Sequence, residues 1–306
     1  MTFDLSELKL SRRDLLAKAG AVGIGAAALT AFGMKPAEAT AATAAATATV
    51  ADVLNFALNL EYLEAEFYTY ATQGHGIDGV QTFYGTIRAN PNAVTAGAKP
   101  TPAADLQMVT FPDAISATVA AQITADEQAH VALLQSLLGG MAIPEPFINL
   151  GAMDAMLPAG TTSYERFLIL SRSFEDTGVS AYSGGSTLVR SNSSALQYAA
   201  QILAVEAYHA SQARLLIAQL AASMTGSSFG APKLDPLDMP PPPTGNFLFS
   251  VGEPQPNVTN ALAVTRNTSQ VLGIVYGATT PTAFAPAGTN HGGFFPNGVN
   301  GKIRTV

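Results

Sequence analysis

The sequence predicts an all-α protein: a four-helix bundle with a Pro/Gly/Asn-rich C-terminal extension packed on it. Three observations predict it. Four segments of helical length, each bounded by capping or breaking residues, occupy residues 51–223. A very short turn, "SNS", joins the third to the fourth, which makes them antiparallel neighbours. The first and third segments also share one pattern of chemistry-bearing residues, and the second and fourth share another.

The first helix is expected over roughly 51–72, with Asp52 near its start and Leu54, Leu58, Leu63 and Phe67 along it; Gly74 and Gly76 close it. Residues 73–110 are punctuated by Gly, Pro and Asn and read as a long connection. The second helix is expected over 112–138, from "FPDAI" to Gly139-Gly140. A Pro-containing connection follows, and the third helix starts at Thr162-Ser163, a residue pair suited to capping, and runs to about Arg190. The fourth covers about 194–223. Beyond 226, "MPPPPTG" breaks any helix. The apolar pieces "FLFSV", "QVLGIVYG" and "GGFFPNG" then argue that the tail packs on the bundle, with "NTSQVLGIVYG" as a short capped helix. The domain reading is therefore a leader over 1–39, a low-complexity linker over 40–50, the bundle over 51–225 and the extension over 226–306.

Composition removes several function classes. With 15 basic and 22 acidic residues, the net charge of −7 gives no basic field to attract nucleic acid or anionic lipid. The absence of cysteine excludes disulfides, thiolate metal sites and a Cys nucleophile. The N-terminus reads as an address. Arg12 and Arg13 precede a mildly apolar Gly/Ala-rich stretch over 19–34, followed by the small-x-small pattern "AEA" at 37–39. It resembles a twin-arginine export signal, which implies a periplasmic or extracellular protein that folds before export. An uncleaved anchor is the other reading, disfavoured by the length of the stretch. Cleavage after Ala39 leaves no stable membrane insertion, with 10 basic and 18 acidic residues in the mature chain.

Only four His occur, and two of them follow a Glu by three residues: Glu127 with His130, and Glu206 with His209. On a helix, positions i and i+3 share a face, so each pair can aim at one point. A carboxylate with a neutral imidazole is a ligand pair for iron, manganese or zinc. On the first and third helices, Glu61 is followed by Tyr68 and Glu175 by Tyr182, each two turns on and on the same face. The order Glu…Tyr, then Glu-x-x-His, occurs twice, as an internal repeat of a helical hairpin.

These residues resemble the ferritin-like superfamily, four-helix bundles with a two-metal carboxylate centre, in which two helices give one Glu each and two give Glu-x-x-His. The resemblance covers roughly 51–223. It implies an all-α ferritin-like bundle holding two iron or two manganese ions. Glu61 and Glu175 take the place of the single carboxylates, and Glu127, His130, Glu206 and His209 that of the paired motifs. Glu64, one turn after Glu61, stays open as an alternative to it. Asp126, in "DEQAH", resembles the family's Asp that orients a His of the other hairpin, here His209; Val205 holds the matching place in the second hairpin. Tyr68 and Tyr182 are expected near the metals. The phrases "LNLEYLEAEFY" and "GGFFPNG" are similar to a ferritin-like group that includes desiccation-related proteins. The resemblance implies oxidative chemistry on O2 or peroxide in stress protection, manganese-catalase-like action being one form. The rival is a protective protein whose metals only stabilise the bundle. Storage needs a cage of subunits that nothing in the sequence indicates, and the oligomeric state is open. His75 and His291 are expected at the surface, and Glu66, Glu145 and Glu165 in solvent.

Overall fold

The computed structural model describes residues 48–77, 81–82, 85–86, 108–152, 157, 159–223, 262–277 and 285–306. The leader, most of the linker and the first part of the extension lie outside them. Four long helices form the body: α1 (Val50–Gln73), α2 (Ala114–Leu138), α3 (Ser163–Val189) and α4 (Ser193–Ser223). A short fifth, α5 (Thr268–Gly277), belongs to the extension. A two-residue ribbon, β1 (Gln81–Thr82) against β2 (Gly85–Thr86), sits in the α1–α2 connection. Among the described residues no helix is long and apolar enough to cross a membrane.

The helix ends follow from local chemistry. Thr49 caps α1 in a reciprocal box with Asp52, and Thr162 caps α3 in the same way with Glu165. Asp113 caps α2 by accepting from the Ser116 amide at 2.8 Å. Gly74 ends α1 at φ 76°, a left-handed conformation that a side chain disfavours. Asn267 caps α5, accepting from the Gln270 amide at 2.9 Å.

α1 packs mainly on α2 and α3 mainly on α4, so the two hairpins face each other as repeats. An aromatic chain runs through the core: Phe67 of α1 stacks on Phe167 and meets Phe174 edge-on, both of α3, and Phe174 meets Phe294 of the extension with centroids 5.0 Å apart. Between α3 and α4, the buried Arg214 donates to Asp176 at 2.9 Å, and Arg172 Nε lies 3.0 Å from the same carboxylate.

α1 is buried on nearly every side from Val53 to Ala71, polar residues included. A helix buried all round belongs in the middle of a protein, and here the extension makes it so. Asn59, fully buried, accepts from the Asn300 amide at 2.8 Å and donates to the Asn300 carbonyl at 3.0 Å. Asn55 exchanges two hydrogen bonds with the α2–α3 connection, at Met141 and Ile143. On α3 the Arg266 amide donates to the Ser180 carbonyl at 3.1 Å. A Cβ on Gly184 would lie 1.8 Å from the Arg266 carbonyl oxygen, so the extension can approach only because that position is Gly.

Two expectations fail. Glu66 and Glu145 are buried, not solvated. The amide of Ile77 lies 3.4 Å from Glu66, because the chain turns back over this carboxylate after Gly74. His75 and His291 are exposed.

Candidate metal centre

The six residues of the repeated pattern come from four helices and meet in the bundle interior. Glu61 lies on α1, Glu127 and His130 on α2, Glu175 on α3, and Glu206 and His209 on α4. All four carboxylates are fully buried; His130 and His209 are 7% and 4% exposed. Their donor atoms form two sets, each with atoms within 4.8 Å of one another: Glu61, Glu127, His130 and Glu206, and Glu127, Glu175, Glu206 and His209. Glu127 and Glu206 belong to both.

The distances show how the sets join. His130 Nδ1 lies 3.2 Å from Glu61 Oε2, 3.3 Å from Glu127 Oε2 and 3.4 Å from Glu206 Oε1. His209 Nδ1 lies 2.9 Å from Glu127 Oε1 and 3.3 Å from Glu175 Oε2. One oxygen of Glu127 therefore faces each imidazole. Several of these close atoms make no hydrogen bond: His209 Nδ1, Glu127 Oε1, Glu175 Oε2 and both oxygens of Glu206. Near in distance but misaligned for hydrogen bonding, such donors converge on shared points, as ligands around a cation do. Buried carboxylates are costly without a compensating charge, so this donor set fits two divalent ions.

The surroundings hold these groups in place. The Tyr68 hydroxyl donates to Glu175, and the Tyr182 hydroxyl donates to Glu61. Each Tyr thus serves the carboxylate of the other hairpin, not the one on its own helix. Both hydroxyls are pushed well above the usual phenol range by burial and by the adjacent carboxylate, so they remain donors. Asp126 Oδ2 lies 3.2 Å from His209 Nε2. If that nitrogen carries the proton, Nδ1 is left free to bind a cation. Val205 leaves the second hairpin without a matching acid.

The charges are mutually dependent. Burial raises Glu61 to about 7, against the pull of His130. Burial also raises Glu64 and Glu206 well above the carboxylate range, and their acidic neighbours add to it. Burial would raise Glu127 as well, but His130 and His209 outweigh it and hold Glu127 well below. Burial works against the charged form of both His, and the carboxylates around them overcome it and raise them.

Glu64 belongs to neither donor set. It is a fifth buried carboxyl, with Oε2 making no hydrogen bond. Sequence reasoning missed its neighbour, Gly178. A Cβ at 178 would lie 2.2 Å from Glu206 Oε2 and 3.3 Å from Glu64 Oε1. Gly178 follows Glu175 by three, as Glu64 follows Glu61, so one hairpin carries a carboxyl where the other leaves space. A Gly three residues after a candidate ligand inside a helix was the available signal.

The ferritin-like domain family matches residues 49–219, more than half of the chain and all four long helices. The chain belongs to that family. A similar protein is the ferritin-like catalase Nec2 of Nesocodon mauritianus, 29% identical over 103 residues. The alignment covers 34% of this chain and 28% of that protein, so the ferritin-like chain spans well under a third of its relative's length. No solved structure matches. The four helices that the family match covers are those that deliver the two donor sets.

Proposed function

We propose that the protein is a dinuclear iron or manganese carboxylate protein that reacts with a small oxidant, O2 or peroxide. Its leading form is peroxide disproportionation, 2 H2O2 → 2 H2O + O2, in stress protection outside the cytoplasm. One observation carries the reading: Glu127 presents an oxygen to each of two His in a buried double donor set. The relative's name, a ferritin-like catalase, supports peroxide as the substrate.

Two such ions, when bound, supply reversible electron transfer to a small oxidant. The chain's own part is placement. Glu127 and Glu206 are the carboxylates shared by both sets, His130 and His209 close opposite ends, and Glu61 and Glu175 complete them. Tyr182 and Tyr68 fix the outer carboxylates through their hydroxyls. Burial excludes bulk water, which strengthens each electrostatic interaction. The twin-arginine-type leader supports loading before export.

The test is metal analysis followed by a peroxide-consumption assay on the same sample. Two equivalents of iron or manganese with turnover, both lost in Glu127→Ala, are the expected result. Two metals without turnover favour the rival in which they only stabilise the bundle, and a folded protein with no metal overturns the reading. Asp126→Asn keeps the shape but removes the acceptor charge behind His209. It is expected to weaken metal affinity about 10- to 100-fold, measured by competition with a chelator.

A further inference from the structure

We infer that the cavity behind Tyr182 binds dioxygen on its way to or from the metal centre, an assignment that rests on the redox reading above. The cavity measures about 170 Å³ and lies among α1, α3, α4 and the start of α5. Leu54, Ala57, Leu60, Leu188, Val189 and Val271 make up much of its wall. Tyr182 also lines it, and the hydroxyl of that side chain donates to Glu61. One side chain therefore separates the cavity from the first donor set.

Its chemistry selects its occupant. A dry apolar cavity of about 150 Å³ takes up benzene or xenon, whereas water needs two to four polar partners. Peroxide has the same need as water. Apolar side chains make up most of the wall; of its polar groups, the Tyr182 hydroxyl is engaged with Glu61 and the Asn267 side-chain oxygen with the Gln270 amide, and Thr187, Arg266 and Thr268 are the others. Dioxygen needs no hydrogen bond and is small enough to enter.

A second observation points the same way. Two consecutive Gly, 184 and 185, lie inside α3 on the cavity wall. Gly184 is required by the Arg266 carbonyl. Gly185 has no such reason: the nearest atom to a Cβ there is Val53 Cγ1, at 4.0 Å. A helix-interior Gly lowers helix propensity, so a Gly that no contact requires is explained by the volume it leaves open.

The experiment uses the metal-loaded full chain, with Gly185→Val and Ala57→Leu as independent fillings from α3 and α1. Xenon binding is read by 129Xe NMR, and oxidation of the reduced centre is timed with dioxygen and with peroxide. The expected result is saturable xenon binding in the wild type and its loss in both variants. Reaction with dioxygen slows about ten-fold or more in them while reaction with peroxide is unchanged. Absence of xenon binding in the wild type overturns the inference. Filled variants that react with dioxygen at the normal rate overturn it and leave the redox reading standing. A centre that binds xenon nearby but reacts with neither oxidant overturns both.

Discussion

Stripped of metal, the protein is expected to become less heat-stable as pH rises from about 5 to 8, while the loaded form does not. The sign follows from the buried groups. Glu61 is raised from 4.5 to about 7 in the fold. Its contribution is fully present below about 4.5 and is lost as pH climbs to about 7. Glu64, Glu175 and Glu206 are raised too and act in the same direction. His130 and His209, raised above 6.5, contribute below that value and lose it as pH rises through their folded values. Glu127, held low, acts oppositely, but its window lies below about 4.5. Metal reverses the balance. Binding displaces protons from the imidazoles and carboxyls, so affinity increases with pH. The gap in Tm between loaded and stripped protein should therefore widen across this range, by roughly 10 °C for a change of about 3–4 kcal/mol. Calorimetry of both forms at three pH values measures it; a gap independent of pH would contradict this account of the cluster.

The second large effect is expected at Gly178. By helix propensity alone, Gly178→Ala should stabilise α3 by about 1 kcal/mol. In this fold the new methyl falls 2.2 Å from Glu206 Oε2 and 3.0 Å from its carboxyl carbon. Glu206 serves both donor sets, so displacing it disturbs both ions together. The variant should fold, keep its helix content and lose metal binding by about 100-fold, the upper end of what changes to the groups that orient ligands cost. Circular dichroism and metal analysis on one preparation decide it. Full metal occupancy in Gly178→Ala would show that Glu206 is not needed where the structure puts it.

Much of this centre could be read from the chain because its information is local. Glu-x-x-His needs only the helical repeat to place both side chains on one face, and the caps Thr49, Asp113 and Thr162 are sequence-adjacent to the turns they close. The crossing of the tyrosines could not be read in that way. The two-turn spacing puts Tyr68 on the face of Glu61, but which carboxylate it reaches depends on the neighbouring helix, and that is Glu175. The burial of Glu66 was hidden for the same reason: it comes from chain that returns over the side chain after Gly74, not from its own helix. Arg172 and Asp176 are one helical turn apart, but nothing in their spacing points to Arg214 across the α3–α4 turn. The tail's role was visible only in outline, because Asn59 and Asn300 are 241 positions apart.

That separation has a consequence in time. A chain is made from its N-terminus, so α1 emerges long before Asn300 exists. Until the segment around Asn300 emerges, the side-chain amide of Asn59 lacks two of its partners and is met by water instead. The bundle can gather its helices early, but its first helix is covered only when the extension arrives. A ribosome-bound or truncated form lacking the final seven residues should therefore exchange the α1 amides with solvent faster than the finished protein.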